Sequence, residues 1–135
     1  MLRPASHPCG TCPYRLDVPS GVWASEEYAK LPLYDRPTWD QPTGVFACHQ
    51  QDGRVCAGWA GCHDTAELLA LRLAANFGVL DPDELDATID YVSPVPLHPT
   101  GQAAADHGMA DVDSPGPRAR RAIDRLLAKT ERRSA

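Results

Sequence analysis

Five cysteines and five histidines occur among the 135 residues, and their spacing is the first sign of chemistry. Cys9 and Cys12 form a CxxC pair within CGTCPYR, the arrangement in which two thiolates approach one metal ion from a single tight turn. The other three cysteines fall close together, as Cys48-His49, Cys56 and Cys62-His63. Two such clusters separated by a loop are the layout of a metal site that ties distant chain segments together. Adjacent residues on a strand point to opposite faces, so Cys48 and His49 are not expected to share an ion. The expected ligands are Cys9, Cys12, Cys48 and Cys56, with Cys62 and His49 as alternates. His63 reads as a helix-cap residue and Cys62 as a small packed hydrophobe. His7, His98 and His107 read as loop residues.

The metal is open at this level. Zinc suits a closed site of four thiolates, although Cys48 and Cys56 are spaced more widely than the knuckles of most zinc modules. A 4Fe-4S iron–sulfur cluster also takes four cysteines, and the Cys12-Pro13 step is of a kind found in cluster-binding segments. Disulfide exchange at CGTC is a third reading, since a CxxC pair can lower a thiol pKa, but Pro13 interrupts the helix such motifs open. There is no GxSxG, no HExxH, no phosphate loop and no dinucleotide fingerprint, so an enzyme is not expected.

The elements that must position these residues are mixed. Alanine inflates the 43% apolar share: 19 residues are Ala and only 25 are Leu, Ile, Val or Phe. With 13 prolines as well, the chain looks short of core and rich in loops, and a metal joining the two clusters is the expected remedy. Helices are expected over 22–31, 64–77, 81–91, 102–109 and 118–132. Asp64 and Asp81 start two of them, each with an acid three residues on. The buried face of 81–91 should be Leu85, Ile89 and Val92. Segments 45–48 and 54–56 should pair as a hairpin across Asp52-Gly53. Tyr34 and Trp39 should cover the core. The fold class expected is small α+β, mainly helical and loop-rich, metal-stabilised, with one domain over 1–112, a linker at 113–117 and a basic helical tail over 118–135.

At CGTCPYR, FACH (46–49) and CAGW (56–59) the sequence resembles an uncharacterised family of small actinobacterial and actinophage proteins. Its members share a CxxCP(W/Y)R start, a CH dipeptide after an apolar pair and a CxG(F/W) segment. The resemblance implies a cysteine-based metal site at Cys9, Cys12, Cys48 and Cys56, with His49 as an alternate, and brings no activity with it.

Charge completes the reading. Residues 118–133 hold seven basic and two acidic side chains, whereas 1–117 hold six basic and sixteen acidic. An acidic body is unsuited to a broad duplex-DNA footprint, so Arg118, Arg120, Arg121 and Arg125 are the residues expected to meet an acidic protein or a nucleic acid. Attraction to the acidic body is the plainer account of the same charges. No apolar run is long enough to span a membrane, and no secretory leader is apparent, so a cytoplasmic protein is expected. The leading expectation is a non-enzymatic, zinc-bearing interaction module. A cluster-bearing redox or sensor protein and a thiol oxidoreductase are the alternatives.

Overall fold

The computed structural model describes residues 1–51 and 53–134, with only the backbone of Ser134. The helices are α1 (Ser25–Ala29), α2 (Ala57–Cys62), α3 (Leu69–Ala74), α4 (Pro82–Ile89), α5 (Gly101–Met109) and α6 (Pro117–Ser134). Short 3-10 turns occupy Leu31–Asp35, Thr38–Asp40 and Thr65–Glu67.

The α+β expectation is overturned. The protein is 47% helical and 5% strand, and among the described residues pairing occurs only as the isolated bridges Leu2 to Arg54, Arg15 to Leu97 and Ala47 to Val55. The expected hairpin exists as a two-bond ribbon, with Cys48 N donating to Arg54 O at 2.9 Å and Cys56 N to Phe46 O at 2.9 Å. It cannot lengthen into a ladder because Cys56 is already the N-cap of α2. Gly53 of the turn has φ +78°, while Asp52 lies outside the described residues.

Nothing in the structure shows metal stabilisation either, and the thin core that called for it is filled in another way. Tyr14, Tyr28 and Trp59 are at most 1% exposed, and Tyr34 and Phe46 are buried with them. Each such ring buries about 150–250 Å², so a census of Leu, Ile, Val and Phe omits much of the apolar mass. Tyr34 stands edge-on to Phe46, with centroids 5.8 Å apart, and to Trp59, at 5.4 Å. Trp39, expected as cover, is 81% exposed.

The expected helix over 64–77 is broken. Asp64 caps only a 3-10 turn, accepting from Ala66 N at 3.1 Å, and Leu68 turns extended (φ −82°, ψ 113°) before α3 begins. The buried amide of Gln41 fills the break, donating to Glu67 O at 3.1 Å and accepting from Leu69 N at 3.0 Å. A side chain that satisfies both severed backbone groups removes the penalty for interrupting the helix. In α4, by contrast, Asp81 and Glu84 form the full capping box. Its expected buried face is not realised: Thr88 is the buried residue, Leu85 is half-buried, and Ile89 and Val92 are exposed.

Helix α5 packs by its small residues. Ala104 and Ala105 are buried, Asp35 accepts from Gly101 N and Gln102 N at 2.9 and 2.7 Å, and Gly108 lies against the Tyr28 ring. Helix α6 rests through Ala119, Ala122 and Leu126 on Val18 and Val22, leaving Leu127 exposed. Replacing a helical glycine by alanine ordinarily stabilises by up to about 1 kcal/mol. Gly108→Ala should instead destabilise by about 1–3 kcal/mol, because the new methyl overlaps the Tyr28 ring. Denaturant unfolding measures this, and a gain in stability would contradict the packing.

Candidate metal centre

The CxxC turn is held from three directions. Within it, Cys12 N donates to Cys9 O at 3.0 Å and Arg15 N to Cys12 O at 3.1 Å. From the side of α1, Trp23 Nε1 donates to Thr11 O at 2.7 Å. From the ribbon, Gln50 Nε2 donates to Thr11 Oγ1. Arg15 then clamps the approach to Cys9, reaching Pro8 O at 3.1 Å while gripping both carboxylate oxygens of Asp17 at 2.8 and 2.7 Å. That ion pair raises the Arg15 pKa and lowers that of Asp17.

Helix α2 brings the second half of the site. Gly58 in its first turn lies directly against Cys12 Sγ, and a Cβ there would also stand 2.8 Å from Tyr14 Cβ. With no side chain between helix and turn, the Cys56 thiol at the helix N-cap reaches that of Cys12. Thiol contacts run in sequence from Cys48 to Cys9, from Cys9 to Cys12 and from Cys12 to Cys56. Cys12, Cys48 and Cys56 are buried and Cys9 is partly exposed. The contacts form an open chain: among the described residues, no three His, Cys, Asp or Glu donors converge in a geometry that could hold a metal ion.

The neighbouring thiols govern ionisation. Contact with Cys12 raises the pKa of Cys9, contact with Cys56 raises Cys12 further, and contact with Cys9 raises Cys48, with burial adding to each. Removing a proton here creates a thiolate beside another sulfur in a poorly solvated place. A divalent cation is the kind of charge that would reverse that preference.

The alternates lie apart from this chain. Cys62, at the far end of α2, donates to His98 O at 3.4 Å, and burial pushes its pKa up to about 12. Five residue steps further on than Ala57, it stands about 7.5 Å along the helix axis from the first turn. His49 has turned toward α1, its ring 4.7 Å from that of Trp23. Its Nε2 pairs with Glu27 Oε2 at 2.9 Å, its side chain is 10% exposed, and its buried Nδ1 has no partner among the described residues. A carboxylate on one ring nitrogen and a free second nitrogen is how metal-binding histidines are commonly held. The Glu27–His49 pair had no signal in the sequence, because 22 residues separate its members.

His63 sits elsewhere, with Tyr14 Oη at 3.4 Å and Asp35 Oδ1 at 3.7 Å. His63 and Asp35 border a cavity of about 250 Å³ that Cys62 and Tyr34 also line. Burial lowers the His63 pKa, with Asp35 opposing. Of the histidines read as loop residues, His98 is buried and His107 belongs to α5, their ring centroids 5.1 Å apart. The basic residues of α6 divide between two faces: Arg118, Arg121 and Arg125 border the Gly10-Thr11 turn, whereas Arg120 folds back onto Pro115 O at 2.8 Å. Among the described residues no helix is long and apolar enough to cross a membrane.

No curated protein and no solved structure matches the chain. A family profile does, over residues 4–129, and so takes in the turn, the ribbon, α2 and the first part of α6. The chain belongs to the family of unknown function DUF6283.

Proposed function

We propose that Cys9, Cys12, Cys48 and Cys56 bind one zinc ion, and that the protein is a non-enzymatic module that meets a protein or nucleic acid through α6. The observation that supports the zinc reading is the approach of α2 and the ribbon to the CxxC turn, with Gly58 against Cys12 Sγ, which brings Cys48 and Cys56 near Cys9 and Cys12 from 36 or more residues away in sequence. Two thiolates on one zinc lie about 3.8 Å apart when each Zn–S bond is about 2.3 Å, which is contact distance. A 4Fe-4S cluster would instead place the four thiolates on different irons. The motifs CGTCPYR, FACH and CAGW, which carry the resemblance to actinobacterial and actinophage proteins, supply all four thiols. Four protein ligands would close the coordination sphere, as in structural rather than catalytic zinc sites.

Disulfide exchange is disfavoured on two counts. A nucleophilic CxxC needs a lowered thiol pKa, whereas Cys9 and Cys12 are both raised. The pair also occupies a turn followed by Pro13 instead of opening a helix.

Protein purified without oxygen should be colourless and carry about one zinc per chain by elemental analysis. Cys9→Ser with Cys12→Ser should abolish binding, and Cys62→Ser should leave it unchanged. A chain that stays metal-free after reconstitution would remove the reading, and a brown protein with visible absorption would replace zinc by a cluster. Gly58→Ala supplies a second check. Its methyl displaces the Cys12 sulfur, so zinc affinity against a chromophoric chelator should fall about 10- to 100-fold, the range seen when supports of a metal site are altered.

A further inference from the structure

Beside the cysteine turn, α6 forms the wall of a groove. Two adjoining cavities of about 400 and 350 Å³ run along it and share Gly10, Thr11, Ala122 and Arg125. The cations that border them are Arg118, Arg121, Arg125, Lys129 and Arg132, and the one carboxylate, Asp17, is already held by Arg15. Arg121, Arg125 and Arg132 have no hydrogen-bond or ion-pair partner among the described residues, and no ion pair there joins α6 to the acidic body. Among the described residues, Arg118 alone of these cations acts on an acid of the body, donating to Asp17 O at 3.2 Å and helping to lower the Asp17 pKa, so attraction to the body does not account for Arg121, Arg125 and Arg132.

Their arrangement is ordered. At about 100° per residue, the five cations occupy roughly 80° of the helix circumference. Ala122, Leu126 and Ala119 lie on the body side of that arc. Asp124 and Glu131 lie roughly 60–80° beyond its outer edge, so the helix keeps its own anions out of the groove. From Arg118 to Arg132 the stripe is about 21 Å long, which matches about six phosphates on one strand at about 3.4 Å each.

We infer that this groove binds the phosphate backbone of a nucleic acid, independently of sequence. The inference rests on the reading of α6 as the interaction element and names its partner. A row of unneutralised cations matched in length and charge to a polyphosphate chain suits that backbone. The acidic body restricts contact to one stripe, and no aromatic side chain borders the groove to stack on bases. The floor of the groove is the Gly10-Thr11 step between the first two cysteines. Gln50 ties that floor to the helix, donating to Thr11 Oγ1 and accepting from Lys129 Nζ at 3.3 Å and, by its carbonyl, from Arg133 Nη2 at 3.2 Å.

The test is fluorescence anisotropy of the full chain with a labelled single strand and with its duplex, across a salt series, with zinc content measured on the same samples. Both oligonucleotides should bind whatever their sequence, and the plot of log K against log salt for the single strand should have a slope near −3, as for four or five phosphates. Arg121→Ala with Arg125→Ala should lower affinity about tenfold and make the slope shallower by about 1.4. Arg120→Ala, which removes a charge from the other face, should stay within about twofold of the wild type. Absence of binding to both oligonucleotides at low salt would overturn the inference, as would equal losses from Arg120→Ala and Arg121→Ala. Binding to phosphatidylserine vesicles without binding to either oligonucleotide would overturn it too. A chain that stays zinc-free after reconstitution and still binds would keep the groove and remove the metal site. A zinc-loaded chain that ignores both oligonucleotides would do the reverse.

Discussion

The contact between Gly58 and Cys12 is the constraint on which the rest of the structure depends. Helix α2 approaches the CxxC turn so closely that there is no space for a side chain between them. That approach places the N-cap of α2, Cys56, beside Cys12. It also drives Trp59 into the centre of the molecule against Tyr34. The thiol contacts and the aromatic core are thus two results of one helix-to-turn approach. A glycine is poor at forming helix on its own account, and here its missing side chain is worth more than its propensity.

The core explains how a chain so rich in proline and alanine folds. Large rings from the first half of the sequence fill the space between short helices, and alanines and glycines let α5 come close to Tyr28 and Leu31. Charged groups contribute little to this. Arg15 is half-buried and Asp17 is 63% exposed, and a pair half in water is worth at most about 1 kcal/mol. Its effect is to fix the approach to Cys9. Gln41 shows the other use of polar groups, since its buried amide ends one helical turn and begins the next.

Charge is arranged with the same economy. The body is acidic and α6 is basic, yet they meet through Ala119, Ala122 and Leu126, and among the described residues no ion pair joins them. Apolar contact holds the helix down and leaves Arg118, Arg121, Arg125, Lys129 and Arg132 along the groove. Gly10 and Thr11, which lie between Cys9 and Cys12, line the groove, so the two candidate sites meet at one short turn.

Much of this was legible in the residues themselves. The Asp81–Glu84 capping box, α5 and the amphipathic α6 follow from local pattern, because caps and periodicity act over a few residues. That CGTCPYR would lie near the Cys48 to Cys56 segment was an expectation from the two thiol clusters, and the structure places Cys56 beside Cys12. The sequence could not reveal α2, whose AGWAGC reads as loop until Cys12 and Tyr14 occupy the space beside Gly58. Nor could it reveal the break at Leu68, which depends on Gln41 from 27 residues away, or that His49 would turn to Glu27. Local sequence determined where helices could start and which side chains could bind a cation. Only the tertiary structure decided which thiols touch and which cations stay unpaired, because contacts between distant segments set both.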